Sequence, residues 1–233
     1  GPWAARLRPS PMPSLLAYNE VTDHHLLADP KQAFLRFGHR MLWRWLTGRR
    51  AMGQSLAGGL LAGCLQQGCT VRTGLRGQAL LLDGERVSGV RFDNGETLSA
   101  AKGVVIATGG FEWNDALMDL HHPGERRWTA SPDTNTGDGL LMAAEAGAAL
   151  AHLDQALTMG TRPVSYLGRP HAAPAADYTL PHSMIVNACG RRFVNELQVN
   201  VGLGLEQRDP ATGARVHHPA WRIYDAQYSR KYR

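Results

Sequence analysis

Two short segments carry the residue types best suited to holding a ligand. The first is Gly103-Val104-Val105-Ile106-Ala107-Thr108-Gly109-Gly110, and the second, after a spacer, is Asn135-Thr136-Gly137-Asp138-Gly139. At Ala107, Gly109 and Gly110 side chains are minimal or absent, so a ligand can approach the main chain closely, and Thr108 adds a hydroxyl. The second segment opens a helix, whose unpaired N–H groups and positive dipole end face whatever approaches. Together they suit a large cofactor lying across a sheet edge. The plain alternative is a buried strand, a tight turn and an ordinary capped helix with no ligand.

The elements that would position these residues read as follows. The apolar, β-branched run 103–108 has the composition of a strand buried on both faces, as in a parallel sheet. In open α/β sheets ligands sit beyond the carboxyl ends of such strands, where Thr108, Gly109 and Gly110 fall. Ahead of it lie four strand candidates, 69–73, 78–82, 87–92 and 97–100, with Asp83-Gly84 and Asn94-Gly95 as hairpin turns in an antiparallel meander. Helices are expected over 31–47, around 56–64 with Gly68 as its stop, over 114–121 with Asn114 as cap, and over about 138–147. Further on, 184–187 turns through Ala188-Cys189-Gly190 into 191–196 as a hairpin, and 221–225 is a last strand before a basic tail. Residues 1–30 read as an irregular entry segment, and 152–182 as a passage between two lobes.

Composition bounds the class. The chain has 233 residues, 43% hydrophobic and 19% charged, the balance of a soluble globular protein. Its formal charge of +5 is scattered, except where Arg36, Arg40 and Arg44 form one stripe of the first helix, opposite Phe34, Phe37, Met41 and Trp45. A core-packed helix with a solvated arginine face fits that pattern; a helix lying on a membrane surface is the alternative. Nucleic-acid binding is not expected, since no strand face interleaves aromatic and basic residues. The cysteines Cys64, Cys69 and Cys189 lack CxxC spacing and fit a reducing compartment, the cytoplasm.

Some chemistry is missing. A dinucleotide normally needs a glycine-rich strand–turn–helix for its pyrophosphate. No GxGxxG occurs, and Gly202-Leu203-Gly204 lacks both the third glycine and a preceding buried strand. The histidine pairs His24-His25, His121-His122 and His217-His218 have no carboxylate or cysteine at ligand spacing, so no metal is expected. Asp93 and Glu96 flank a turn and read as solvated rather than as an acid/base pair.

Read together, the segments 103–114, 135–139, 185–196 (Ile-Val-Asn-Ala-Cys-Gly-Arg-Arg-Phe-Val-Asn-Glu) and Pro219-Ala220-Trp221 with Tyr224-Asp225 resemble the flavoprotein family of fumarate reductase and 3-ketosteroid Δ1-dehydrogenase, closest to the steroid dehydrogenase branch. The resemblance covers roughly residues 50–233. It implies an α/β fold: part of a Rossmann-like FAD-binding lobe with an antiparallel meander (1–150), then part of an α+β capping lobe for substrate (151–233). It implies FAD as cofactor, with Ala107, Thr108, Gly109, Gly110, Asn135, Thr136, Gly137, Asp138 and Gly139 around it and Gly77 where the family's backbone pairs with adenine. The implied reaction removes two hydrogens from adjacent carbons of an apolar cyclic ketone, a steroid among the candidates. A tyrosine takes the proton and the flavin takes the hydride.

This chain departs from the family pattern at two points. The amino-terminal GxGxxG unit and the carboxyl-terminal flavin-ring segment are absent, so the chain reads as the middle of a protein about twice as long. Asn200 also stands where the branch carries its tyrosine, and an amide is no base near neutral pH. The catalytic residues are therefore unassigned, with Tyr166, Tyr178 and Tyr224 reading as packing residues. Two other readings stay open: a fumarate- or enoate-reducing relative, using Arg162, Arg191 or Arg192 against a carboxylate, and a non-catalytic fragment unable to bind FAD alone.

Overall fold

A computed structural model of the protein describes residues 15–17, 20, 29–123, 128–198 and 200–232. In chain order the elements are α1 (Pro30–Leu46), α2 (Met52–Gln66), β1 (Gly77–Asp83), β2 (Arg86–Phe92), β3 (Thr97–Ser99), α3 (Asp115–His121), α4 (Asp138–Glu145), β4 (Thr161–Tyr166), β5 (Arg169–Pro174), β6 (Ser183–Val186), α5 (Val201–Leu205), β7 (Trp221–Tyr224) and α6 (Ala226–Tyr232). They fall into two compact units. One is Val71–Ala156 with Arg169–Ala172; the other is Gly1–Thr70, Leu157–Gly168 and Ala173–Arg233.

The first unit is built on the expected meander, β1-β2-β3, antiparallel throughout. Both turns use a glycine at positive φ, Gly84 at 61° and Gly95 at 83°, a backbone region costly for a residue with a Cβ. Gly89 of β2 lies opposite Ser99, and a Cβ there would run into the Leu98 carbonyl. Helix α4 lays Met142, 7% exposed, against β1, with its Cε 3.1 Å from where a Cβ on Gly77 would stand. Helix α3 begins as expected, the Asn114 side chain accepting from the Leu117 N–H at 3.1 Å.

Two expected strands, one of them beginning just ahead of this unit, do not form. Residues 69–73 and 103–108 are irregular, and no described strand pairs with either. Val105 is 91% exposed, the reverse of a strand buried on both faces. A strand exists only where neighbours take up its N–H and C=O groups, and the described sheet of this unit ends at β3.

In the second unit, α1 starts at Pro30, with Asp29 accepting from the Gln32 N–H at 3.1 Å. The expected polarity of α1 is partly inverted. Phe37 is buried, but Phe34 is 69% and Trp45 64% exposed. Arg44 meanwhile turns inward onto buried Glu20 at 2.6 Å, and Arg40 reaches the same carboxylate at 3.2 Å. One buried carboxylate thus recruits Arg40 and Arg44 of the stripe, because a charge out of water must be paired. Helix α2 stops at Gly68 (φ 80°) and buries none of its residues.

Strands β6 and β7 pair antiparallel, Ser183 facing Tyr224 and Val186 facing Trp221. The hairpin expected across 184–196 keeps only its turn and a single bridge, Val186 to Arg192. Beyond it Glu196 folds under β6 and accepts from the Ile185 N–H at 2.8 Å. The basic tail is helical, and its Tyr228, 3% exposed, packs on Tyr224 with ring centroids 5.1 Å apart.

Candidate functional site

The two ligand-suited segments meet in the first unit, laced together by main-chain and cap hydrogen bonds. The Gly137 N–H donates to the Gly110 carbonyl at 3.0 Å, and the Trp113 N–H to the Asn135 carbonyl at 3.0 Å. Asn114 caps α3 with its oxygen while its amide nitrogen donates to the Thr136 carbonyl at 2.9 Å. One side chain therefore sets both the helix that follows the first segment and the position of the second. Behind the loop, Ser131 offers its carbonyl to Trp113 Nε1 and lies against buried His171 Nε2, both at 3.0 Å.

Several of the glycines are required by this contact. Gly109 sits at φ 80°, and a Cβ there would lie 2.5 Å from Asn135 Oδ1. A Cβ on Gly139 would run into Thr108 Oγ1 and Ile106 Cγ2. Gly137, at φ 79°, caps α4 by position without a side chain. The outcome is a ledge on which Ala107, Thr108 and Gly109 are exposed, Gly110 is half-buried, and the helix start at 137–139 lies alongside. The N–H groups of Asp138, Gly139 and Leu140 open α4 and have no carbonyl a turn earlier to bind. Gly77 lies under the same helix, beside Met142.

Arg76 was not singled out by sequence reasoning. Its Nε and Nη2 meet both carboxylate oxygens of Asp138 at 2.5 and 2.7 Å, and Thr136 Oγ1 donates to Asp138 at 2.9 Å. The Arg76 guanidinium, followed by the Thr136 hydroxyl, holds the Asp138 carboxyl below the usual range against the opposing effect of burial. The sequence signal, an arginine next to Gly77 and an aspartate 62 residues on, becomes meaningful only once α4 is docked on β1.

Other candidates stand elsewhere. In the second unit Asn200 Oδ1 accepts from the Thr158 N–H at 2.6 Å and from its hydroxyl at 3.1 Å, while the Gly202 N–H donates to the Thr158 carbonyl at 3.1 Å. Glu196, 6% exposed, is opposed by burial, but Arg192 at 2.5 Å and the Ile185 N–H outweigh it and keep the carboxyl below its usual range. Arg162 and Arg191 are exposed. Tyr178 packs against Gly160, its Cε1 2.5 Å from where a Cβ would be, and Tyr166 is half-buried in β4. Glu96 is ion-paired with Arg72, away from any partnership with Asp93. His217 stacks on Phe193 at 4.0 Å, and His121 and His122 lie about Phe111; His24 and His25 are outside the described residues. Among the described residues no group of three or more His, Cys, Asp or Glu is placed to hold a metal. Nor is any described helix long and apolar enough to cross a membrane.

The chain is similar to proteins of known activity. The 4-oxocyclohexanecarboxylate 2-dehydrogenase of Sinomonas cyclohexanicum is 35% identical over 220 residues, 86% of this chain and 37% of that protein. The 3-oxosteroid 1-dehydrogenase of Mycobacterium tuberculosis is 32% identical over 216 residues, 85% of this chain and 38% of that one. Among solved structures, 3-ketosteroid Δ1-dehydrogenase from Sterolibacterium denitrificans, in complex with 1,4-androstadiene-3,17-dione, matches with a TM-score of 0.72 and 28% identity. That match covers 93% of this chain and 42% of that one. The chain thus spans about two-fifths of the length of these relatives. A family model for the FAD binding domain matches residues 4–208, nearly the whole of the described structure. On that match, the chain belongs to the FAD binding domain family.

Proposed function

We propose that this chain is the part of an FAD-dependent dehydrogenase that forms one side of the flavin cradle, in an enzyme that desaturates a CH–CH bond next to the ketone of an apolar ring. The observation that carries the reading is the ledge: main chain nearly free of side chains at 107–110, held against an open helix start at 137–139. Such a surface offers N–H donors and close approach to a flat ligand carrying many acceptors. Ala107 through Gly110 and Asn135 through Gly139 would hold the cofactor, with Gly77 toward its adenine end. The lobes 1–150 and 151–233 would supply cofactor and substrate surfaces respectively. FAD, when bound, supplies the hydride acceptor.

The similarity to a 4-oxocyclohexanecarboxylate dehydrogenase and to 3-oxosteroid dehydrogenases supports a cyclic ketone as substrate, from a single ring to a steroid. Asn200 is not the proton acceptor of that reaction. Its amide has no basicity near neutral pH, and its oxygen is engaged by Thr158. The fumarate-reducing alternative is less supported, because Arg192 is bound to Glu196 instead of standing open for a carboxylate. With three exposed free cysteines, we place the protein in the reducing cytoplasm.

A second reading follows from the exposed run at Val105: a partial cradle that does not retain flavin by itself. The visible absorption spectrum after mixing with FAD and gel filtration separates the two. A retained flavin band, bleached anaerobically by a 3-ketosteroid or by 4-oxocyclohexanecarboxylate, supports the dehydrogenase reading. A colourless protein supports the second.

A further inference from the structure

Helix α1 turns its apolar side outward. At 3.6 residues per turn, Phe34, Leu35, Leu42, Trp45 and Leu46 fall within one stripe about 120° wide. All five are exposed, Leu35 at 82% and Leu46 at 68%. The opposite side is the inward one, where Phe37 is buried and Arg44 binds Glu20. Helix α2, in the same unit, adds Met52, Leu56 and Leu60, an exposed row at four-residue spacing, and carries no charged residue. From Pro30 to Gln66 there are six cations, Lys31, Arg36, Arg40, Arg44, Arg49 and Arg50, and no acidic residue. Glu20 answers Arg40 and Arg44. Among the described residues, Lys31, Arg36, Arg49 and Arg50 are exposed and enter no ion pair. Arg49 lies over the Trp43 ring, its Cζ 4.5 Å from the centroid, so a guanidinium and an indole stand together at the end of α1.

We propose that α1 and α2 form a docking surface for an anionic lipid bilayer, with the apolar stripe at the boundary between headgroups and acyl chains. Lys31 stands at one end of the stripe, Arg49 and Arg50 beyond the other, and Arg36 to one side. From there their long side chains reach the lipid phosphates. Charge complementarity decides between occupants. A second copy of the chain would set the same cations against themselves across a two-fold contact. A negatively charged bilayer answers the cations and takes up the leucines at once. Trp43 and Trp45, each an apolar ring with one polar N–H, suit the headgroup level. No described helix is long and apolar enough to cross a membrane, so the chain lies on the lipid. The inference goes beyond the flavin reading and stands apart from it.

The test floats the full chain with vesicles of phosphatidylcholine alone, or of phosphatidylcholine and phosphatidylglycerol in equal parts. The chain is expected to float with the anionic vesicles, to stay behind with the neutral ones, and to be released by high salt. Arg49→Gln with Arg50→Gln should weaken binding about twentyfold, at about fivefold per charge. Leu35→Gln with Trp45→Gln should weaken it about tenfold or more, with an unchanged melting temperature because both side chains are exposed. A measurement on the wild-type chain avoids any doubt over folding of the variants. Brominated lipids in the anionic vesicles should quench its tryptophan fluorescence, and Trp43→Phe with Trp45→Phe should remove most of that quenching. Failure to float, equal flotation with neutral vesicles, or quenching that persists in the phenylalanine variant overturns the proposal. So does wild-type self-association that Leu35→Gln with Trp45→Gln abolishes while no lipid is bound, which would give the face to a second copy.

Discussion

Asn200 and Thr158 form a two-point clamp, one amide oxygen accepting from both the main-chain N–H and the hydroxyl of the same threonine. The Gly202 N–H returns the contact to the Thr158 carbonyl, and a Cβ on Gly202 would stand 2.5 Å from the Thr158 Cβ. Asn200 thus ties two chain segments together. Replacing Asn200 with tyrosine is therefore expected to destabilise the chain, by about 1–3 kcal/mol for the orphaned Thr158 donors, without creating dehydrogenase activity. Asn200→Asp keeps an acceptor and should cost less. Chemical denaturation with an activity assay on each variant checks both.

The Glu20 carboxylate should govern the acid limit of the α1 region. The Arg44 guanidinium above all, with the Ala17 N–H and Arg40, outweighs burial and lowers its pKa to about 2. An unfolded glutamate titrates near ~4.3. The stability this group contributes is thus complete above about pH 5 and is lost as the pH falls toward 2. Thermal melts from pH 7 down to pH 3 should show a steep loss in wild type and a flatter profile in Glu20→Gln. Arg44→Met, which leaves a buried carboxylate short of its main partner, is expected to cost about 3 kcal/mol at neutral pH.

Gly139→Ala should drive α4 off the ledge. The new methyl meets Thr108 Oγ1 and Ile106 Cγ2, both on β-branched side chains with little freedom to turn away. Overpacking of this kind costs about 1–3 kcal/mol. A fall in melting temperature with weaker FAD uptake is the expected result. Gly53→Ala, in α2 with nothing within 4 Å, is the control and should stabilise slightly.

Asn114 serves two elements, and its substitutions separate them. Asn114→Asp keeps the cap on the Leu117 N–H but loses the donor to the Thr136 carbonyl; Asn114→Ala loses both. The alanine variant is expected to cost about 1 kcal/mol through the helix start alone. The aspartate variant should keep the melting temperature closer to wild type while still loosening the 135–137 loop, read as weaker FAD binding.

What was legible in the sequence was what is decided locally. Asn114 before an apolar helix, Gly84 and Gly95 in two-strand turns, and Gly68 after α2 each act within a few residues, and each stands where its chemistry requires. What depends on distant partners was not legible. Residues 103–108 have every property of a buried strand except a neighbour among the described strands. The inward turn of Arg44 needed Glu20, 24 residues away, and the Arg76–Asp138 lock needed two elements to dock first. The ledge residues could be named from their types because absent side chains are a local property. Arg76 could not, because its partner is chosen by the fold.

The exposure of Val105 has a practical consequence for anyone handling the protein. Val104-Val105-Ile106-Ala107 is uncharged, lacks proline and favours extended backbone, the makings of a segment that stacks with its own copies. With Val105 91% open to solvent, light scattering is expected to rise with protein concentration and to fall in Val105→Lys.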